Sequence, residues 1–297
     1  MSKHHSEVAL PSAIIPAPTE APPFESDEYS QQAETPSLTL PDHLNPHLRA
    51  LIENLQEPLR TAVIAAINTE GGVRITSGNA KGGVMKTTLS VYIALILALT
   101  GDPVLLVDAD ETNKTCLKWQ AAVGEAWPSS VTVVQYSGSL MTKQVTDLMA
   151  RGYKHLVIDV GPTHTGVLKA AWALTKRGIV PTQQHVGDIV QLATTFQLLQ
   201  EMGEEIDLNV LIARSYPRRV SYTKAQNYIE DTIEGRKPEF PAGLPNVSLL
   251  QSTVPFLEGI ADTWGTLPDD YAYFSSVLAE TLGVPHDVLA GLADGEE

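Results

Sequence analysis

The sequence predicts an α/β fold, a mostly parallel β-sheet with helices on both faces. Three observations predict it. From about residue 72 onward, short β-branched runs alternate with longer stretches of helical periodicity, the pattern of strand–helix–strand units. A glycine-rich segment, 78–83, sits between the first strand run and the first long helical run. The chain is 297 residues long with 43% hydrophobic and 19% charged residues, enough for one large domain with a substantial core.

The strand runs are Val73–Thr76, Val104–Val107, Val131–Val134, His155–Ile158, Gly178–Val180, Leu208–Ile212 and Val247–Leu250. Helices are predicted at Thr87–Thr100 and, as the closing element, at Tyr271–Leu282. Helical stretches lie between most strands, and there is no internal repeat. This main domain is assigned residues 71–297. Ahead of it, Leu48, Leu51, Ile52, Leu55 and Leu59 are spaced for a helix that Pro58 bends or divides, giving a helical extension over 47–70. Residues 1–46 hold eight of the 20 prolines among Ser, Thr, Glu and Ala. Such a segment buries too little apolar surface to fold alone, and it reads as a disordered tail, either a plain linker or a docking segment.

The formal net charge is −15, which repels nucleic acid and anionic membranes overall. Contact with DNA therefore requires a local basic patch or a partner. The single cysteine, Cys116, can form neither an internal disulfide nor a cysteine-only metal cage, and it suits a reducing cytoplasm. The N-terminus lacks the long apolar core of a secretory signal. The longest apolar run, Leu89–Leu99, is too short to span a bilayer, so no membrane partner is expected.

The segment Asn79–Thr88 follows the first strand and opens the next helix, where a phosphate-binding loop must sit. A helix N-terminus offers unpaired N–H groups and partial positive charge. Gly82 and Gly83 let the backbone, through Val84 and Met85, wrap phosphate oxygens without side-chain clashes. Lys86 can reach β and γ phosphates, Thr87 can ligate Mg2+, and Thr88 completes the turn. The bland alternative is a glycine turn with a chance Lys-Thr pair. Asp108 and Asp110 end the second strand run, and Asp159 ends the fourth. Strand ends of a parallel sheet face the ligand crevice. Carboxylates there suit magnesium and water, although either Asp108 or Asp110 alone also fits a helix cap. Arg214, Arg218, Arg219 and Lys224 form the densest basic cluster, which is either a DNA-binding patch or a solvated loop.

The run Lys-Gly-Gly-Val-x-Lys-Thr-Thr, residues 81–88, resembles the deviant Walker A motif of the ParA/MinD family of partition and positioning ATPases. The resemblance covers about 72–283 and is specific in the first motifs and loose later. It implies a P-loop NTPase fold, ATP and Mg2+ as cofactors, and an ATP-dependent homodimer. It implies that Lys81 crosses the dimer interface to the partner's nucleotide, with the charge logic of an arginine finger. Asp110 would then position the attacking water, Asp108 support the magnesium shell, and Asp159 hold the metal as a Walker B residue. Pro255, in Val254–Gly259, falls where the family frames the adenine, with Phe256 in place of the usual arginine.

Two departures matter. Glu111–Thr115 replaces the usual Pro-Gln-Gly-Asn. Met85 replaces the glycine before the second lysine; if that position needs positive φ, a side chain there costs about 1–2 kcal/mol. Three consequences stay open: the loop tolerates Met85, nucleotide binds with impaired hydrolysis, or the site is dead or the residue engineered. The acidic end of the chain lacks a basic membrane helix of the MinD type, and one cysteine is too few for a nitrogenase-reductase cluster.

The expected function is a weak, partner-stimulated ATPase that segregates or positions DNA, cytoplasmic and associated with the nucleoid where DNA is bound. Its partners would be a second copy, DNA, and a centromere-binding or adaptor protein. The competing expectation, motivated by Met85, is a non-hydrolysing scaffold in a segregation or conjugation assembly. An amidotransferase or ligase on the same fold ranks last, because no substrate-specific motif supports it.

Overall fold

The computed structural model describes residues 36–162, 164–203 and 205–293. The predicted tail therefore lies largely outside the described residues. Helices α1 (Pro46–Glu53) and α2 (Leu59–Ile67) come first, divided at Pro58. Then follow β1 (Arg74–Ser77), α3 (Lys86–Ala98), β2 (Val104–Asp108), α4 (Thr115–Val123), β3 (Val131–Gln135), α5 (Met141–Met149) and β4 (His155–Asp159). The second half holds α6 (Thr165–Thr175), β5 (Arg177–Thr182), α7 (Val186–Met202), β6 (Asp207–Ser215), α8 (Val220–Ile233), β7 (Val247–Leu249), β8 (Val254–Pro255), α9 (Glu258–Asp262), α10 (Ala272–Thr281) and α11 (His286–Ala293).

Seven strands run in the order β3-β2-β4-β1-β5-β6-β7, and β8 pairs with β6 beyond them. Every pairing is parallel. The register aligns Asp108 with Asp159 across β2 and β4, and Ser77 with Asp159 across β1 and β4. The acids read from the sequence at separate strand ends are therefore neighbours. A parallel sheet needs helical crossovers, which cover both faces and leave the central strands fully buried. Strands β2 and β4 are buried at every residue.

Two apolar clusters sandwich the sheet. One holds Leu89, Ile93 and Leu97 of α3 with Ala62–Ala66 of α2 and Phe274, Val277 and Leu278 of α10. The other holds Val145, Leu168, Trp172, Phe196 and Ile229 from α5 to α8. Helix α3 is buried from Leu89 through Leu97, so it is apolar on nearly all sides, as a central helix must be. The loop ahead of α1 joins the first layer: Leu40 and Leu44 pack on it, and the Asn68 side chain donates to the carbonyls of Ser37 and Thr39 at 2.6 and 2.9 Å.

At the amino end of the sheet, buried His155 ties three elements together. Its Nδ1 accepts from Val73 N at 3.0 Å, and its Nε2 lies 3.1 Å from the Thr100 hydroxyl. Because that hydroxyl already donates to Leu97 O, Nε2 carries the proton and Nδ1 must remain bare. Burial, with Lys154 nearby, pushes the imidazole down to about 4. The folded chain thus takes up its proton later on acidification than the unfolded chain, whose imidazole titrates near 6.5. Stability from this group is complete above that value and is lost as pH falls from about 6.5 towards about 4, by up to about 3 kcal/mol. Urea midpoints measured between pH 7.5 and pH 4.5 should fall for the wild type and fall by less for His155→Gln. Equal falls would remove His155 as a cause.

Candidate functional site

The rim formed by the carboxyl ends of the strands collects the polar groups. Between β1 and α3 the chain runs over the rim as a loop of residues 78–85. Gly78 has no room for a side chain, because an added Cβ would meet Leu168 Cδ1 at 2.3 Å. Asn79 anchors the loop: its amide nitrogen donates to Pro181 O at 2.8 Å, and its Oδ1 accepts from Lys81 N and the Thr195 hydroxyl. Gln183 Nε2 donates to Gly83 O at 3.1 Å. The loop is thereby tied to β5 and α7.

Met85 ends the loop with φ 75 and ψ 16, the left-handed region that glycine enters freely. The condition set by the sequence is met, so the cost of about 1–2 kcal/mol applies. Its side chain is partly buried against the first apolar layer, a gain of the same order that holds the strained residue in place. Helix α3 then begins at Lys86 with four N–H groups that no intrahelical carbonyl can satisfy.

Lys86 is buried, its ammonium donates to Lys81 O, and burial pulls its pKa down against the attraction of Asp159 and Asp110. Thr87 Oγ1 donates to Asp159 Oδ2 at 2.7 Å, and Ser90 Oγ donates to Asp159 Oδ1 at 3.2 Å. The Cys116 thiol also donates to Asp159 Oδ2 at 3.5 Å. Burial pushes the Asp159 carboxyl up to about 6, despite Thr87, Lys86 and Ser90.

Asp108 faces the start of α4. Its Oδ2 accepts from Cys116 N at 2.9 Å and Leu117 N at 3.3 Å, and its Oδ1 accepts from Asp110 N. This is the geometry of a helix cap, the alternative reading of this residue. Both oxygens of Asp108 thus accept from backbone N–H groups, as both oxygens of Asp159 accept from side chains. Asp110 follows the strand rather than ending it; its Oδ1 accepts from Thr112 N and Asn113 N and its Oδ2 from the Asn113 side chain. Burial pushes the Asp110 carboxyl up, but these bonds outweigh burial and hold it below the usual range. Gly161 lets Asp110 approach β4, since an added Cβ would lie 2.7 Å from its carboxyl carbon.

Lys81 Nζ lies 2.9 Å from Asp188 Oδ1 in the first turn of α7. Beside the loop, a cavity of about 210 Å³ is lined by Met85, Thr88, Trp119, Arg214, Pro255, Phe256, Leu257, Ile260 and Trp264. Pro255 and Thr88 thus line the same cavity. Arg214 leaves the basic cluster: it is half-buried at this cavity with φ 49, whereas Arg218, Arg219 and Lys224 stay exposed at the start of α8.

The rim thus unites Gly82 to Thr88 with Asp108, Asp110 and Asp159. Sequence reasoning did not find Ser90, Asp188 or Trp119. An acid in the first turn of a helix beginning just past a strand end was a usable signal for Asp188. Nothing in the pattern marked Trp119, which reaches the cavity only through tertiary packing. Among the described residues no three His, Cys, Asp or Glu side chains gather as a self-sufficient metal cage, and no helix is long and apolar enough to cross a membrane.

A family model described as an AAA domain matches residues 72–136, from the turn before β1 through β3. No curated protein matches the sequence significantly. Among solved structures, the MinC:MinD cell division complex of Aquifex aeolicus is similar at 16% identity, over 72% of this chain and 98% of that one, with TM-score 0.54. A variant of McdA from Cyanothece in complex with ATP matches at 15% identity over 72% and 97%, with TM-score 0.51. A candidate plasmid partition protein of Borrelia burgdorferi B31 bound to AMPPNP matches at 15% over 71% and 95%, with TM-score 0.50. At such identities the likeness is one of fold, and the fold is that of the ParA/MinD-type P-loop ATPases. At the level of fold these matches agree with the ParA/MinD resemblance.

The capping geometry makes a specific demand. Asp108→Ala should lower unfolding free energy by about 1–2 kcal/mol through loss of the α4 cap, and Asp108→Asn, which keeps an acceptor, should cost less. Urea denaturation of the three proteins checks the ranking, and an Asp108→Ala protein of unchanged stability would exclude the cap.

Proposed function

We propose that this chain is an ATP-binding switch of the partition and positioning type, which dimerises on Mg-ATP and uses that state to engage DNA or a partner. The observation that carries the reading is the Thr87–Asp159 hydrogen bond at the N-terminus of α3, beside buried Lys86. A hydroxyl and a carboxylate next to a helix N-terminus are the donor set magnesium takes when it keeps most of its water and borrows phosphate oxygens. Two of the solved structures named above hold ATP and AMPPNP, which agrees with the reading.

The residues divide the work. The backbone of Gly82, Gly83, Val84 and Met85 and the first amides of α3 would bind the phosphates, with Lys86 between β and γ. Thr87 and Asp159 would hold magnesium, whose chemistry is to neutralise charge on the phosphate oxygens. Asp110, kept ionised by its hydrogen bonds, would orient the water, while Asp108 holds α4 and the loop behind it. Pro255, Phe256 and Arg214 would frame the base beside Thr88. Lys81 would act on the nucleotide of a second copy, which requires its largely buried ion pair with Asp188, the side chains 27% and 12% exposed, to open. Arg218, Arg219 and Lys224 would supply the DNA contact, three cations per chain and twice that in a dimer, giving weak and salt-sensitive binding. A centromere-binding or adaptor protein would trigger hydrolysis.

The left-handed Met85 favours a second reading, a scaffold that binds nucleotide without hydrolysing it, because the strained residue sits where the β phosphate is gripped. One experiment separates them. Fluorescent Mg-ATP binding and the dimer fraction by light scattering are measured for the wild type, Met85→Gly and Lys81→Ala. The switch reading expects the wild type to bind and dimerise, and Lys81→Ala to bind but remain monomeric. Binding by Met85→Gly alone would show a disabled site, and a dimer unaffected by Lys81→Ala would remove that lysine from the interface. Phosphate release that stays at background with DNA present would favour the scaffold.

A further inference from the structure

Three aromatic and cationic groups connect the cavity to the basic loop. Phe256 lines the cavity and remains 45% exposed. Its ring lies 5.8 Å from the Tyr216 ring, tilted by 30°. The Arg219 guanidinium sits over Tyr216, 4.3 Å from the ring centre. Tyr216 is thus enclosed between a cavity wall and the exposed cation of the basic loop.

The backbone around this stack is fixed. Tyr216 N donates to Gln184 Oε1 at 2.6 Å, and Gln184 Nε2 donates to the Ser221 hydroxyl at 2.7 Å. Phe256 N donates to Ser215 O at 3.0 Å. Gln184 is buried and adjoins Gln183, which holds Gly83 of the phosphate loop. With the main chain pinned at both ends, a change at the Phe256 ring is taken up by the side chains it touches. The resemblance puts arginine at position 256, so an aromatic relay at this place belongs to this chain's own residues.

We propose that Tyr216 is a positioning residue: a base entering the cavity fixes the Phe256 ring, Phe256 fixes Tyr216, and Tyr216 holds Arg219 against it, so that occupancy of the nucleotide site orders the basic loop. The inference rests on the proposed nucleotide reading. It explains why Arg219, exposed in an acidic molecule, is held by a ring rather than by a carboxylate. Such a contact is weak in water and strengthens as its partner stops moving, so it can report a small change at the cavity.

The test is tryptic cleavage after Arg218 and Arg219, identified by fragment mass, with and without Mg-ADP. ADP supplies the base without the γ phosphate that the proposed dimer needs. In the wild type, saturating ADP should slow cleavage at these bonds about threefold, the scale of one exposed cation–π contact. Tyr216→Phe should retain the protection. Tyr216→Ala and Tyr216→Leu should bind fluorescent ADP as the wild type does, which also shows that they fold, and should lose the protection. Protection that persists in both ringless variants overturns the relay and leaves the nucleotide reading intact, as does a wild type that binds ADP without any change in cleavage. A wild type that binds no nucleotide overturns both.

Discussion

Parallel pairing throughout the sheet is the constraint from which the site follows. Because every strand points the same way, the ends of β1, β2, β4, β5 and β6 emerge on one rim. Ser77, Asp108, Asp159, Gln183 and Ser215 reach that rim by continuing their strands, without any loop being long or elaborate. The opposite rim carries the strand starts, where His155 joins Val73 and Thr100. One reversed strand between β2 and β5 would carry its terminal polar residue to the wrong pole and break the set.

The same rim is electrostatically uncomfortable. Asp108 and Asp159 face each other across adjacent strands in surroundings that raise both carboxyls, and only Lys86 lies buried among them. Hydrogen bonds from Thr87, Ser90, Cys116 and the start of α4 substitute for water on these oxygens. Such a site leaves buried charges that the protein's own groups match imperfectly. Met85 adds conformational strain at the same place. Left-handed non-glycine backbone also occurs at Lys114, at Arg214 and, at the opposite pole, at Lys176.

The fold was legible because its signals are local. Strand runs, the glycine loop and the acids at strand ends each sit within a few residues of one another in sequence, and the left-handed geometry at Met85 followed from the glycine it replaces. What escaped is long-range. Asp188 meets Lys81 across more than a hundred residues, Trp119 and Trp264 meet Met85 at the cavity only after the first layer has packed, and Arg214 parts from Arg218 and Arg219 because the chain turns at its left-handed backbone. Asp108 illustrates the limit within a motif: the pattern marked it as important, but whether its oxygens look towards a metal or towards α4 depends on where the helix starts.

The described chain begins at the other pole. Pro36 lies against Gly283 past the end of α10, and Asn68, just ahead of β1, grips the carbonyls of Ser37 and Thr39. The leading segment is thus clamped beside the strand starts, with the sheet between it and the rim of the phosphate loop. A fluorophore placed at exposed Ser37 or Leu38 sits at the pole opposite Lys81, so its signal reports the strand starts and not the rim of the phosphate loop.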